Sequence, residues 1–297
     1  MTAPGVGAMR AQTTVVAFPA GAVTGEARVV AVHPEDGTTV VVLDRTPFHP
    51  VDHTWPDQPG DRGALEGGGF RVDVVEAVMA AQDDDGAFAV AADIPVKRGT
   101  EGWTWLVGHR IVGGAPAGLV PGVTVRASVD EALRSGLSRG HTACHLASLA
   151  LDAAVADLWR KEPGVDALGF PDFEGRANQT SRIRQDGAVD EYRLGKSLRK
   201  AGFDTEGLAA SLAEREERIN AHLAGWISSA AASSIETEGP TIADRRRWVC
   251  ALPEGTASIL CGGTHTASLA DFASIRVRLD LSDPQLLVMT TSAVPAP

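Results

Sequence analysis

Eight His and three Cys give this chain eleven side chains able to hold a transition metal. Four of them, His141, His145, Cys261 and His265, bound two five-residue motifs. The first motif is His141-Thr142-Ala143-Cys144-His145, and the second is Cys261-Gly262-Gly263-Thr264-His265. On a helix, an i, i+4 pair leaves one face a single turn apart, so both imidazoles of the first motif can reach one point. The second motif has the same spacing in a glycine-rich turn, where the backbone is free to fold back until Cys and His converge. Three imidazoles and one thiolate suit tetrahedral zinc, and we expect a single Zn2+ on His141, His145, Cys261 and His265. Four protein ligands would close such a site, whereas three would leave a position for water or substrate; the sequence leaves both open.

The elements that carry these motifs follow from periodicity. Ser138 is a candidate N-cap for a helix through His141 and His145, continuing over Leu146, Leu149, Leu151, Val155 and Leu158 to Pro163. A second helix is expected from about Asp204 or Glu206 to Ile227, capped by Asp204 or Thr205. Before them, Val29–Val32, a Glu35-Asp36-Gly37 turn and Val40–Leu43 read as a hairpin, with further strands over 70–78, 88–94 and 103–111. After them, 248–252, 258–261, 275–281 and 286–290 read as strands. The expected fold class is α+β. A small N-terminal β-barrel over 1–112 precedes an α+β domain over 123–297 with an antiparallel sheet and the zinc site, and Gly113 to Gly122 is a linker.

Composition narrows the class. A net charge of −11 argues against a protein that coats nucleic acid, and no DNA partner is expected. Basic residues nevertheless cluster at Arg176, Arg182, Arg184, Arg193, Lys196, Arg199 and Lys200, and at Arg245-Arg246-Arg247. No apolar run is long enough to span a bilayer, so no membrane role is expected. Met1 to Thr13 has no signal-like apolar core, and three unpaired-looking cysteines fit a reducing cytoplasm. Cys250 reads as a buried strand residue, His49 and His109 as structural, and Cys144 as lacking an acid–base partner for thiolate catalysis.

The string from His141 to Leu146 resembles the HTAxHLL signature of the alanyl-tRNA synthetase editing domain and of the AlaX-type editing proteins, and Cys261 to His265 resembles the second zinc motif of that family. A third stretch, Val42 to Pro50 followed by Gln58-Pro59-Gly60-Asp61-Arg62-Gly63, is similar to the family's LDRTxFYPEGGGQPGDxG. The likeness runs from about Thr13 to about Ser292. It departs between Pro50 and Gln58. Where the family has Glu-Gly-Gly-Gly, this chain has Val51-Asp52-His53-Thr54-Trp55-Pro56-Asp57.

The resemblance implies a metal-dependent ester hydrolase that removes the amino acid from a mischarged tRNA in trans, acting at the 3′ acceptor end. Gln58 would be catalytic, hydrogen-bonding near the reacting ester, with a zinc-bound water as one candidate nucleophile and a water held by other groups as the alternative. His53, Thr54, Trp55 and Gln58 would bind the acyl group, and Arg182 and Arg184 the tRNA phosphates. The bulkier loop points to a threonine-like acyl group, threonine or an analogue such as fluorothreonine, with the family's usual Ser- or Gly-tRNA(Ala) deacylase as the alternative. Two other classes stay open: a zinc hydrolase of a small ester, and a noncatalytic tRNA-binding module.

Overall fold

The computed structural model describes residues 12–297, so nearly all of the segment 1–13 discussed above lies outside the described residues. The protein is α+β with more strand than helix, and the chain divides into two compact units. One comprises the described residues up to Trp55, Gly60–Asp130 and Gly239–Asp244; the other comprises Pro56–Pro59, Glu131–Glu238 and Arg245–Pro297. Among the described residues, no helix is long and apolar enough to cross a membrane.

The first unit contains β1 (Val15–Val16), β2 (Thr24–Glu35), β3 (Thr38–Leu43), β4 (Arg45–Thr46), β5 (Gly63–Gly67), β6 (Phe70–Asp83), β7 (Phe88–Val90), β8 (Trp103–Val112) and β9 (Thr124–Val129). Seven of these make one sheet in the order β5-β9-β2-β3-β8-β6-β7, and β5 also pairs with β6, so six strands form a ring of hydrogen-bonded neighbours. The period-two alternation of strand side chains splits β3 between two apolar clusters. Val41 and Leu43 join Met79, Val107 and Trp105, while Val40 and Val42 join Val78, Ala80 and Leu106. Gly113 to Gly122, expected as a linker, connects β8 to β9 inside this unit. It is held because Gly113 N–H donates to Gly37 O, Gly122 N–H donates to Val29 O, and Leu119 is buried in the core.

The second unit is built on α1 (Glu131–Ala154), which begins well before Ser138. Ser138 is thus an interior helix residue whose hydroxyl is used elsewhere, and not an N-cap. The helix stops at Ala154, and a 3-10 turn over Ala156–Leu158 follows. α1 is small-residue-rich because it is covered nearly all round. Ala143, Leu146, Ala147 and Ala150 pack among Ile219, Leu223, Trp226, Trp248 and Met289. α2 (Glu174–Ala177) leads into β10 (Asn178–Arg184) and β11 (Gly187–Arg193), followed by α3 (Lys196–Ala201). The single helix expected from 204 to 227 is two, α4 (Thr205–Ala210) and α5 (Leu212–Ser228), interrupted at Ser211. Asp204 does cap the first, accepting from Gly207 N–H. The remaining strands are β12 (Ser233–Thr237), β13 (Arg246–Leu252), β14 (Gly255–Leu260), β15 (Phe272–Asp283) and β16 (Leu286–Pro295). They complete two antiparallel sheets, β10-β11-β16-β15 and β12-β13-β14.

The β10–β11 hairpin was not expected from the sequence. Its two-residue turn is Gln185-Asp186, and Asp186 takes the left-handed conformation at φ 56°, which Asp tolerates better than most residues. Beside the hairpin lies a buried acidic group. Glu174 accepts from Asn178 Nδ2 at 2.8 Å, and burial followed by the neighbouring Asp190 carboxylate pushes its pKa up to about 7. A raised acid is protonated in the folded chain where the unfolded chain has already ionised, so its contribution is complete below the ordinary value of 4.5 and is lost as pH rises through about 7. Glu174→Gln should therefore flatten the fall in stability over that window, as read from urea midpoints at several pH values.

Candidate metal centre

α1 presents His141 and His145 one turn apart, and the segment after β14 presents Cys261 and His265. The ligand atoms of these four residues all lie within 4.8 Å of one another. Cys261 Sγ is 3.5 Å from His141 Nε2 and 3.3 Å from His265 Nε2. The three imidazoles surround the same point, with ring centroids 4.4 Å apart for His141 and His265 and 4.8 Å for each pair involving His145. Trp248 packs edge-on to His145 and tilted against His265. His141 is buried and the other three are half-buried.

The donor set fits a metal through its three imidazoles and one thiol and through one orphaned polar atom. His145 Nδ1 is a buried nitrogen with no hydrogen-bond partner. Burial also drives the His141 pKa down to about 3, and burial, followed by the neighbouring His141 ring, takes His145 well below the usual imidazole range. Both rings are therefore neutral at pH 7, as metal ligation requires.

Polar side chains around the four fix their orientation. Gln58 Oε1 accepts from Thr264 N–H at 3.0 Å and lies 2.7 Å from His141 Nδ1. Gln58 Nε2 donates to Thr264 Oγ1 at 2.9 Å, and Ser138 Oγ donates to the same hydroxyl at 2.8 Å. Thr142 Oγ1 accepts from Thr266 N–H and lies 3.1 Å from His265 Nδ1. Each of these hydroxyls or amides links one motif to a distant segment, the arrangement by which outer groups set the tautomer and direction of a ligating imidazole. The turn between Cys261 and His265 needs its second glycine for space: a Cβ at Gly263 would lie 2.3 Å from two atoms of the His141 ring and 2.7 Å from Gln58 Oε1.

The remaining candidates from the sequence are found as follows. Gln58 is wholly buried, its amide committed to His141 and Thr264. His53, Thr54 and Trp55 belong to the first unit. His53 Nε2 lies 3.0 Å from Val96 O, and its ring sits beside Trp105. Thr54 is tied by its N–H and hydroxyl to the Asp52 carboxylate, which also accepts from Trp55 N–H. The Trp55 side chain is exposed. Arg182 and Arg184 are exposed on β10, on either side of the buried Ile183. Of the triplet, Arg246 is buried, whereas Arg245 and Arg247 are exposed. Cys144 is buried with its thiol on the Asp190 carboxylate, and burial followed by that charge raises its pKa well above the thiol range. Cys250 lies in β13 within the core, and His109 is buried between Thr46 Oγ1 and Val41 O.

Sequence reading missed Thr264, Thr142 and Ser138. Their signal lay in the motifs themselves, since two of the three sit between the ligands, but a hydroxyl carries no mark of its role until its partner is known. It also gave no role to Asp57, whose Oδ2 is 3.6 Å from His141 Nε2.

No family model matches the chain. Over 252 residues it is 28% identical to the alanine–tRNA ligase of Parasynechococcus marenigrum, an alignment covering 80% of this chain and 22% of that protein. The alanine–tRNA ligase of Chlorobaculum tepidum is 26% identical over 256 residues, covering 85% and 25%. The chain is a relative of alanine–tRNA ligases. It spans about a quarter of the length of the curated relatives it matches. A further alanine–tRNA ligase, from a Synechococcus strain, is 28% identical over 251 residues and covers 80% and 22%.

Because the Gly263 backbone lies against the His141 ring, Gly263→Ala must displace one of them. We expect a loss of about 1–3 kcal/mol, the usual range for overpacking a filled site, measured by urea unfolding of the metal-free chain.

Proposed function

We propose that this chain is an aminoacyl-tRNA deacylase of the alanyl-tRNA synthetase editing type, hydrolysing the ester between a mischarged amino acid and the terminal ribose of tRNA in trans. The observation that carries this reading is the convergence of the two motifs in a chain related along 80–85% of its length to alanine–tRNA ligases. On this reading the ring of strands in the first unit is the small barrel expected from the sequence, and the second unit is the zinc-binding editing domain.

Zn2+ would be held by His141, His145, Cys261 and His265, where it would supply a fixed positive charge able to polarise or orient an oxygen of the ester. The chain's own residues do the rest. Gln58 is read as a positioning residue, because its amide fixes the His141 ring and the Thr264 turn and its atoms are buried. Hydrolysis places a water oxygen on the acyl carbon and returns the electron pair and a proton to the ribose hydroxyl, releasing free amino acid and deacylated tRNA. An aminoacyl ester is already activated, so alignment and exclusion of wrong substrates account for much of what the protein must contribute.

The acyl group is proposed to be threonine-like, and the support is the replacement of Glu-Gly-Gly-Gly by Val51 to Asp57. On this reading side chains in place of glycines would contact the acyl group or limit its size. A site that satisfies a particular polar substituent discriminates far more strongly than one that only measures a methyl group. The test is a panel of Thr-, fluorothreonyl-, Ser- and Ala-tRNA beside the free aminoacyl esters. Thr-type tRNA should be deacylated fastest, and free esters slowly. Equal rates on the free esters would favour a small-ester hydrolase, and binding without turnover a noncatalytic module. Grafting Glu-Gly-Gly-Gly in place of 51–57 should shift the ratio toward Ser-tRNA; an unchanged ratio in a folded graft removes the loop from specificity.

Arg182 and Arg184 are proposed to contact tRNA phosphates. They flank Ile183, whose N–H donates to Asp57 O at 2.8 Å, so β10 adjoins the segment that carries Gln58. Replacing both with Ala should weaken tRNA binding and reduce the slope of log affinity against log salt by about 2, one per lost phosphate contact.

A further inference from the structure

The sheet β10-β11-β16-β15 has one covered face and one bare face. Ile183, Ala188, Met289, Val277 and Leu279 are buried on the side packed by α1 and α5. The registers set the alternate residues of the other face into rows. Arg184 stands opposite Gly187, Gly187 opposite Ser292, and Ser292 opposite Arg276. The next row on that face is Arg182, Val189, Thr290 and Arg278. An arginine pair therefore stands on each outer strand, at the same level of the sheet. The members of a pair are two residues apart, about 6.7 Å along a strand, and the pairs are three strand spacings apart, about 14 Å.

All four arginines are exposed. Among the described residues, no carboxylate forms a salt bridge with any of them. Arg278 lies near Asp280, whose carboxylate already accepts from the Ser282 N–H and hydroxyl. At the adjoining turn the Asp186 carboxylate is paired with Arg139. In a chain of net charge −11, four exposed guanidinium groups on one sheet face make a local positive surface that attracts phosphate.

What lies between the pairs decides the form of the ligand. Sheet faces that bind single strands present aromatic rings on which bases stack. Here the intervening residues are Gly187, Val189, Thr290 and Ser292, and none is aromatic. Two charged rails with a low floor between them suit the two phosphate strands of a helix better than a row of unstacked bases. An A-form RNA helix offers a wide, shallow minor groove bordered by phosphates to such a surface.

We infer that the bare face of this sheet docks duplex RNA, with Arg182 and Arg184 taking phosphates of one strand and Arg276 and Arg278 those of the other. The inference rests on the tRNA reading above and extends it from β10 to β15, with the base-paired stem as the partner. Position supports it. The Ile183 N–H, between Arg182 and Arg184, donates to Asp57 O, and the next residue, Gln58, lies 2.7 Å from His141. The basic rows thus border the segment that reaches the candidate metal centre.

The test uses the full chain, a short RNA hairpin with a fully paired stem, and an unpaired RNA of equal length, each bound at several salt concentrations. Arg276→Ala with Arg278→Ala should weaken hairpin binding and reduce the slope of log affinity against log salt by about 2, so that parent and variant converge about tenfold for each threefold rise in salt. Arg276→Lys with Arg278→Lys, which keeps the charge, should retain most of the slope. Arg247→Ala, exposed on β13 of the other sheet, should leave it nearly unchanged. An unchanged slope in the β15 alanine variant would overturn the inference. An equal drop from Arg247→Ala would do the same, by reducing the effect to net charge. Unpaired RNA bound as tightly as the hairpin, or a parent chain that binds neither RNA at low salt, would also overturn it. Deacylation with binding indifferent to these arginines would remove the surface and leave the proposed function. Binding that follows the arginines without any deacylation would remove the hydrolysis and leave the surface.

Discussion

The candidate centre depends on one amide. Gln58 is held at both ends by Thr264, through the backbone N–H and the side-chain hydroxyl, and its oxygen in turn fixes the proton on His141 Nδ1. Without that constraint the buried ring could present either nitrogen to the ligand point. With it, one lone pair faces Cys261. Ser138 adds a second donor to the Thr264 hydroxyl from α1, and Thr142 reaches from α1 to His265 and Thr266. The helix motif, the turn motif and the 57–58 segment are therefore cross-linked by hydrogen bonds that involve the ligands or their immediate neighbours. A metal bound there would have its donors aligned before it arrives, which reduces the ordering cost of binding.

The parts of this centre that were legible in the sequence are those whose chemistry is local. An i, i+4 histidine pair on a helix and a Cys-Gly-Gly-Thr-His turn state their own geometry, and the four donors do converge. The groups that orient them were not legible, because Thr142, Ser138 and Thr264 find partners between 123 and 206 residues away. Ser138 was misread for a related reason. It looks like a cap only if the helix starts where its histidines do, and tertiary packing extends α1 back to Glu131. The β10–β11 hairpin was hidden because its polar and charged residues, Ser181, Arg182 and Asp190 among them, break the apolar alternation that marks a strand. The stretch 113–122, rich in glycine, proline and alanine, reads as a linker on composition, yet Leu119 anchors it in the core of the first unit.

The interior of the second unit combines apolar packing with buried ionisable groups. Cys144, one residue before a ligand, is kept as a thiol on Asp190, and Glu174 and Tyr192 lie among the same acidic neighbours. Burial and like charge raise all of these groups, so they hold protons that exposed counterparts would lose. Cys144 thus sits inside the first motif with its thiol turned to Asp190, and among the described residues Cys261 is the cysteine that joins the histidine cluster. The division of labour between Cys144 and Cys261 comes from environment, since both residues occur in the motifs.

The central claim is that the two motifs share one metal ion through three imidazoles and a single thiolate. X-ray absorption at the zinc edge of the purified, zinc-loaded chain tests it most directly. The account predicts one sulfur at about 2.3 Å and a shell of nitrogen and oxygen donors at about 2.0–2.2 Å, with imidazole scattering beyond them. A first shell without sulfur, or with two or more sulfurs, would contradict it.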